Sequence, residues 1–336
     1  MCMNQPALLL DTEFATSEKT FVRDLVDGQA VDCVFLVRDR SRRQKRNGDP
    51  FLKLQLGDVT GAVEAVAWDE VDSLDEVCPT GAVVHVSGRF TVERQYGACV
   101  TVRTLREART DEYDPADLLA GPSVAYDQMV GDLRALLDTI QLHPLRALLD
   151  RFFAPESAVW TRWCEAPAAK HYHQAYRHGL LEHSLSVAQA VSAISATFPG
   201  IDREVAVAGA LLHDIGKIES YASQGGAIEL TDAGKLQGEI PLGYYLVRRE
   251  IEEVPGFPAP VAQALLHIIL SHHGQLEHGS PVVPCTREAT LVHMLDNLGG
   301  RLGSFDRLEK GLSSGQTWSS FDRALSGSAY FGSQAA

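Results

Sequence analysis

Histidines are concentrated in one part of the chain. Ten of the 12 histidines lie between positions 171 and 293, as His171, His173, His178, His183, His213, His267, His272, His273, His278 and His293. Imidazole is the commonest metal ligand in proteins and also exchanges protons near neutral pH. The enrichment therefore indicates metal binding or acid–base chemistry in the C-terminal half.

The adjacent residues His213 and Asp214 stand out because they end an apolar stretch that begins near Asp202. Burying an imidazole and a carboxylate costs several kcal/mol unless they are paired or bound to metal. We favour a metal over the alternative, a buried His–Asp hydrogen bond. Successive helical residues point about 100° apart, so both can reach one ion from neighbouring edges of a helix running from 202 to 218. They cannot complete its coordination shell.

Other apolar helical segments must supply the remaining ligands. His183, the pair His272-His273 and Asp296 each lie within or at the end of such a segment. Nitrogen and oxygen ligands without a thiolate suit Mn²⁺, Fe²⁺, Co²⁺ or Zn²⁺ in an open, water-bearing site. The six cysteines form no C-x-x-C pair, so we expect them to be reduced and inert. The pattern predicts a catalytic divalent-metal site.

The N-terminal part reads as β-structure. Five short segments rich in Val, Leu, Phe or Thr lie between residues 20 and 108: VDCVFLVRD, PFLKLQLGD, GAVEAVAWD, AVVHVSGRF and ACVTVRTL. Turn residues separate them at Asn47-Gly48, Thr60-Gly61 and Tyr96-Gly97. Five strands of this length predict an OB-fold barrel, whose usual ligands are single-stranded nucleic acids.

The pattern changes to helical periodicity after an acidic stretch interrupted by Pro and Gly. A plausible N-cap, Asp202, precedes the helix that carries His213. We expect an α+β multidomain protein with an N-terminal OB-fold barrel followed by an all-α domain. The predicted divisions are an extension at 1–18, a barrel at 19–108, a linker at 109–122, a helical domain at 123–315 and a tail at 316–336. We expect a loosely ordered tail unless its aromatic residues attach it.

The net charge of the chain restricts the kinds of nucleic acid that it can bind. A net charge of -14 argues against a broad basic face for duplex DNA. Residues 38–46 nevertheless carry six basic side chains against one acidic, in what we expect to be the loop between the first two strands. A solvated loop is the equal alternative. We place Trp68 and Phe90 in the barrel core and take Tyr96, beside Arg94, as the better candidate for base stacking.

The start of the chain has no basic region before its apolar stretch, and no apolar run reaches the roughly 18 residues of a membrane helix. We therefore expect no membrane association and a cytoplasmic location.

Several motifs in the sequence resemble those of known protein families. The series His183, HDIGK at 213–217 and Asp296 resembles the H…HD…D signature of HD-domain metal-dependent phosphohydrolases. The segments AYRHGLLEHSLSVA, LTDAGKLQGEIPLG and ILSHHGQLEHGSPVVPCTREATLVHMLDNL, with NGDPFLKLQLGDVTG in the barrel, resemble the YhaM family. Members of that family are 3′-to-5′ exoribonucleases that join an OB-fold to an HD domain. The resemblance spans roughly residues 20 to 305.

The resemblance implies a ligand set. A first ion would be held by His183, His213, Asp214 and Asp296. Asp214 would bridge to a second ion held by His272, His273 and Glu239, where the family usually has a histidine. The departure at Asp296-Asn297-Leu298-Gly299, where the family often has a second Asp, gives Gly299 no role.

The expected catalytic residues are Asp214 and Lys217. Lys217 lies at i+4 from His213, so on one helix its ammonium would point at the scissile phosphate. The alternative is a cation at a helix C-terminus.

The expected cofactor is one or two divalent ions per chain, Mn²⁺ first, with Mg²⁺, Co²⁺, Fe²⁺ and Zn²⁺ open. The expected partners are single-stranded RNA or DNA and, from the family, further copies in a homo-oligomer. Candidate substrate contacts are Arg42, Arg43, Lys45, Arg46, Lys53, Arg94, Tyr96, His173, Arg177 and His178.

Two other functions stay open. An HD-domain hydrolase of small nucleotides or cyclic dinucleotides is disfavoured by the OB-like front half and by the missing G-Y-P motif after the histidine pair. A nucleic-acid-binding protein with a decayed site is disfavoured by the intact set of four ligands.

Overall fold

A computed structural model describes residues 19–45, 47–93, 97–119, 121–170, 174–224, 227–312 and 315–332. The N-terminal half contains β1 (Ala30–Gln44), β2 (Pro50–Asp58), β3 (Gly61–Ala67), α1 (Val71–Val77), β4 (Val83–Glu93) and β5 (Gly97–Glu107). The five strands close into a barrel in the order β1-β2-β3-β5-β4, in which β3 and β5 are parallel and the other pairs are antiparallel. This is the five-stranded OB-fold barrel that the sequence predicts.

Alternating residues of the strands fill the barrel, because successive side chains of a strand point to opposite faces. Phe35, Leu54 and Val86 are at most 1% exposed, and Phe90 is buried as predicted. The prediction for Trp68 is wrong, since its side chain is 43% exposed. Trp68 follows the last residue of β3 and therefore lies beyond the inward-facing positions, with its ring centroid 5.0 Å from that of Phe51.

The basic stretch is also placed differently from the prediction. Arg38, Arg40, Arg42 and Arg43 belong to β1 and not to a loop, because β1 pairs with β2 as far as Gln44 opposite Pro50. The hairpin is longer than the apolar pattern indicates, since its outer part is built from arginines.

The C-terminal half is helical. It comprises α2 (Pro115–Leu118), α3 (Tyr126–Leu137), α4 (His143–Phe153), α5 (Trp160–Glu165), α6 (Gly179–Ser195), α7 (Arg203–Leu212), α8 (Lys217–Ser220), α9 (Asp232–Gln237), α10 (Glu239–Glu252), α11 (Ala259–Ser271) and α12 (Arg287–Lys310). A short hairpin of β6 (Tyr221–Gln224) and β7 (Ala227–Leu230), which was not predicted, interrupts the helices. None of the helices in the described ranges is long and apolar enough to cross a membrane.

One continuous apolar core joins α3, α4, α6, α7, α11 and α12. The cap of α7 is confirmed, since the Asp202 carboxylate accepts hydrogen bonds from the backbone N–H groups of Glu204 and Val205. The expected helix from 202 to 218 is wrong in length, because α7 ends at Leu212 and a turn separates it from α8.

The C-terminal segment, residues 315–332, packs against α12. Asp322 is paired with Arg307 of α12, and Ala329 is only 2% exposed. Isolated β-bridges join Trp318 to Tyr330 and Asp322 to Gly327. The bridges thus fold the segment on itself, and the Asp322–Arg307 pair and the contact of Phe331 with Phe305 attach it to α12.

Candidate metal centre

Four elements bring imidazoles and carboxylates to one place. His183 lies in α6, His213 and Asp214 directly follow α7, His272 follows α11, and Asp296 lies in α12. The first four of these residues are at most 3% exposed. These helices are neighbours in the apolar core, so their polar residues meet in its interior.

We call His183, His213, Asp214 and Asp296 the ligand cluster. The Nε2 atom of His183 lies 3.2 Å from Asp214 Oδ2 and 3.1 Å from Asp296 Oδ1. The Nε2 atom of His213 lies 3.3 Å from Asp214 Oδ2 and 3.8 Å from Asp296 Oδ1. Nitrogen and carboxylate oxygen atoms that converge at these separations form the geometry expected around one cation.

Backbone carbonyls orient the rings. The Nδ1 atoms of His213, His272 and His273 lie 2.7, 2.8 and 2.9 Å from the carbonyl oxygens of Ala210, Ile269 and His278. A carbonyl only accepts, so each Nδ1 carries the hydrogen, and the Nε2 of each neutral ring has a free lone pair. Metal-binding histidines characteristically have such a partner on the other ring nitrogen.

The charges in the cluster also favour a cation. Burial raises the pKa of Asp214, but Lys217, His213 and His183 outweigh it and hold the value well below the usual range. Burial also raises the pKa of Asp296, but His183 and His213 likewise hold it well below that range. Burial lowers the pKa of His213, yet Asp214 and Asp296 raise it to about 10. The two carboxylates are therefore anionic, and without a metal a proton on His213 partly balances them.

A second group of ligands adjoins the cluster. His272 Nε2 lies 3.5 Å from Asp214 Oδ1, and His273 Nε2 lies 3.7 Å from Glu239 Oε1. Asp214 Oδ1 and His272 Nε2 are buried, and neither has a hydrogen-bond partner among the described residues. A buried polar atom without a partner costs about 1–3 kcal/mol, and a cation between these two atoms would satisfy both. The Asp214 Oδ1 and His272 Nε2 atoms thus fit a bound cation.

A close backbone contact positions Glu239. A Cβ atom added at Gly216 would lie 2.0 Å from the carbonyl oxygen of Glu239 and 2.5 Å from the amide nitrogen of Gly243. The turn that follows Asp214 therefore packs directly on the first turn of α10. Glycine is needed at Gly216 because any side chain would separate the two.

Lys217 reaches the ligand cluster by a different route from the one expected. It begins α8 after the turn and does not share a helix with His213. Its Nζ nevertheless lies 2.6 Å from Asp214 Oδ2. Burial lowers the pKa of Lys217, and Asp214 outweighs burial and raises it. A charged ammonium is therefore held at the edge of the cluster.

The predicted substrate contacts that the structure describes lie in two places, the β1–β2 hairpin and the segment directly before α6. Within the described ranges, Arg42 pairs with Asp72, Lys53 with Glu64 and Arg177 with Glu165, at 2.6 to 2.7 Å. Arg43 is exposed, Lys45 Nζ bonds the carbonyl of Trp68, and His178 Nδ1 bonds the carbonyl of Cys164. Arg46, Arg94, Tyr96 and His173 lie outside the described residues.

A large cleft, which sequence reasoning missed, adjoins the ligand cluster. It has a volume of about 1580 Å³ and lies between one end of the barrel, α6, α12 and the C-terminal segment. His183 lines it, together with Lys170 and Trp318. Next to His183, the buried Glu182 accepts hydrogen bonds from the N–H and hydroxyl of Ser123 and from the hydroxyl of Tyr176. Glu182 could have been noticed in the sequence, because it is a carboxylate inside the apolar pattern HGLLEHSL. The cleft could not, because it is formed by contacts between distant segments.

Comparisons with known proteins give one match within the helical half and others over most of the chain. The family described as HD domain matches residues 180–300. Among curated proteins, "3'-5' exoribonuclease YhaM" of Halalkalibacterium halodurans is 27% identical over 283 residues, 83% of this chain and 86% of the relative. The protein of that name from Bacillus subtilis is 29% identical over 288 residues, 83% of this chain and 88% of the relative.

A solved structure of the second OB-fold domain of replication protein A from Methanococcus maripaludis aligns with 28% of this chain and 97% of its own, at 17% identity and a TM-score of 0.23. That likeness is too weak to identify a ligand. The alignments with the two bacterial exoribonucleases cover 83% of the chain, so the chain is similar to these proteins over most of its length and not only within the HD domain.

Proposed function

We propose that this protein is a metal-dependent 3′-to-5′ exoribonuclease that shortens single-stranded RNA, and single-stranded DNA as a second substrate, to nucleoside 5′-monophosphates. The observation that carries the proposal is the buried set of carboxylates and imidazoles around Asp214, in a chain aligned with exoribonucleases over 83% of its length.

The proposed ligands divide between two positions. His183, His213, Asp214 and Asp296 would hold the first ion, and His272, His273 and Glu239 would join Asp214 at the second. When bound, such ions lower the pKa of a water molecule and polarise the phosphoryl group. Asp214 is central to both proposed positions because its Oδ2 faces His183 and His213, whereas its Oδ1 faces His272.

Lys217 supplies a fixed positive charge. Its ammonium is held by Asp214 at the edge of the cluster. A preorganised charge of this kind opposes the negative charge that develops on a phosphoryl group in the transition state. Lys217 therefore acts on the phosphate, and the carboxylates act on the metal.

The size of the cleft favours a polymer. Sites for small molecules are usually about 300–1,000 Å³, whereas the cleft beside His183 measures about 1580 Å³. A mononucleotide or cyclic dinucleotide would leave much of this space to water. Several consecutive nucleotides of a strand would use it.

Three further properties complete the proposed function, namely the metal ion, the cellular location and the oligomeric state. Imidazole and carboxylate ligands without thiolate suit Mn²⁺, Fe²⁺, Co²⁺ or Zn²⁺, and we propose Mn²⁺ as the first of these to test. We place the activity in the cytoplasm and expect a homo-oligomer, which sedimentation will test.

The deciding experiment digests one RNA labelled at either end, with Mn²⁺, with Mg²⁺ or with a chelator. Hydrolysis from the 3′ end releases a 3′ label at once as a mononucleotide, while a 5′ label moves into a descending ladder. Chelation is expected to stop both. If the protein hydrolyses mononucleotides or cyclic dinucleotides but leaves the RNA uncut, the proposal is refuted.

A further inference from the structure

The C-terminal segment presents an aromatic pair to solvent. The Trp318 and Tyr330 side chains are each 59% exposed. Their ring centroids lie 4.9 Å apart with an angle of 46° between the planes, and the β-bridge between the two residues fixes this arrangement. The chain thus holds a large indole ring in a defined position without burying it.

Trp318 faces the cleft that contains His183. Both residues line the same cavity, as do the neighbouring Ser319 and Ser320. Phe321, which is 69% exposed, is not among the residues lining that cavity. Two exposed aromatic residues three positions apart therefore differ in their relation to the candidate active site.

Lys170 contributes a positive charge to the lining of the cleft. Lys170 is exposed and lines the cavity, and no ion pair to it is found among the residues that the structure describes. Glu182 is already occupied by Ser123 and Tyr176. Asp306 contributes an exposed carboxylate to the lining, so the charge of the cleft is mixed and apolar contact is needed for firm binding.

We propose that Trp318, supported by Tyr330, is a stacking platform for a base of the single strand whose 3′ end lies at the ligand cluster. This inference rests on the proposed function, since it supplies the route of that strand. Aromatic stacking is tolerant of sequence because every base has a π-face, which suits an enzyme that shortens any RNA. Lys170 neutralises a phosphate of the same strand in the cleft.

A second copy of the chain is the other conceivable occupant of this surface. A protein interface would cover Phe321 as readily as Trp318, because Phe321 is the more exposed of the two. The continuity of Trp318 with the cavity that reaches His183 favours the nucleic acid.

The test compares W318A, W318F and F321A. Binding of a 5′-fluorescein single-stranded oligoribonucleotide is followed by fluorescence anisotropy in chelator, so that no strand is cut. We expect W318A to weaken binding by at least about five-fold, which corresponds to the lower end of the contribution of one stacked base. W318F keeps a ring and should retain most of the affinity, and F321A should match the unaltered protein.

A kinetic measurement separates binding from chemistry. W318A should raise KM for RNA while leaving kcat, and the rate on bis(p-nitrophenyl) phosphate, unchanged. Equal oligonucleotide affinity in W318A and F321A would overturn the inference. So would a change in sedimentation of W318A with unaltered RNA binding, since that result identifies a protein interface. If RNA binding depends on Trp318 but the protein releases no nucleotides from RNA, the stacking role of Trp318 would be supported and the proposed exoribonuclease activity would be refuted.

Discussion

The Nε2 atoms of His183 and His213 lie 3.2 Å apart, although 30 positions separate the two residues and different helical elements carry them. The Nδ1 of His213 already donates to a carbonyl, so its Nε2 faces the cluster as an acceptor in the neutral ring. The contact is favourable only when a hydrogen or a cation lies between the two nitrogens, because two acceptor lone pairs would repel each other. A cation between the two Nε2 atoms would therefore be bound by both rings.

The first prediction concerns Asp214, which faces both ion positions. The substitution D214A should lower kcat/KM for RNA by more than about 10²-fold, because even residues that only orient metal ligands contribute about 10–100-fold. Isothermal titration should show weakened Mn²⁺ binding. The exposed Asp127, in the first turn of α3, supplies the control D127A, which should keep full activity. Full activity in D214A would remove the metal centre from the mechanism.

Lys217 should separate catalysis from metal binding. The variant K217A loses the ammonium 2.6 Å from Asp214 Oδ2, and we expect kcat to fall by about 10²-fold, the usual effect of removing one group that stabilises transition-state charge. Mn²⁺ affinity should stay the same or rise, because a competing cation has gone. A large loss of Mn²⁺ affinity with unchanged kcat would contradict this role.

Metal removal should lower thermal stability. A ligand that binds only the folded state at 100 times its Kd stabilises that state by about 2.7 kcal/mol, which corresponds to a few degrees of Tm in a protein of this size. Differential scanning fluorimetry with Mn²⁺ and with chelator measures the change. D214A provides the comparison, since its Tm should respond less to Mn²⁺. An equal response in both proteins would place the stabilising ion elsewhere.

Glu239 should control the second ion alone. Its carboxylate lies 3.7 Å from His273 and belongs to α10, outside the ligand cluster. We expect E239Q to reduce the Mn²⁺ content from two ions per chain to one, as measured by elemental analysis after gel filtration. The exposed Glu277, in the turn after His273, gives the control E277Q. Two ions retained in E239Q would exclude this carboxylate as a ligand.

Cysteine reactivity should follow burial. Burial raises the pKa of the Cys78 and Cys164 thiols to about 11 each, whereas Cys285 is exposed. The thiolate is the reactive form, so iodoacetamide at pH 8 should modify Cys285 well before the other two. Mass spectrometry of peptides over a time course measures the order. Early modification of Cys164 would show that the packing around α5 opens readily.

Local patterns were sufficient to predict the barrel and to single out the histidines and aspartates that the structure brings together, whereas the proposed division of these residues between two ions comes from the family resemblance. The alternation of apolar residues in β2 and the polar pair that ends the apolar run of α7 are properties of short segments. Trp68 and the long arginine-bearing hairpin were misjudged because exposure at a strand end depends on where its pairing stops, which is decided by the partner strand. The cleft was missed for a related reason, since Trp318 reaches it only through the packing of the C-terminal segment on α12.

The contact of Gly216 with the first turn of α10 has a consequence for how this centre can change. The turn after Asp214 and the first turn of α10, which carries the proposed ligand Glu239, meet with no room for a methyl group, so main-chain atoms set the distance between these two segments. New metal preferences in this scaffold must then arise by exchange of side-chain head groups, as between histidine and glutamate at position 239. Insertions or bulkier residues at this contact would move the turn after Asp214 away from α10. They would therefore disrupt the proposed centre before they could change its metal preference.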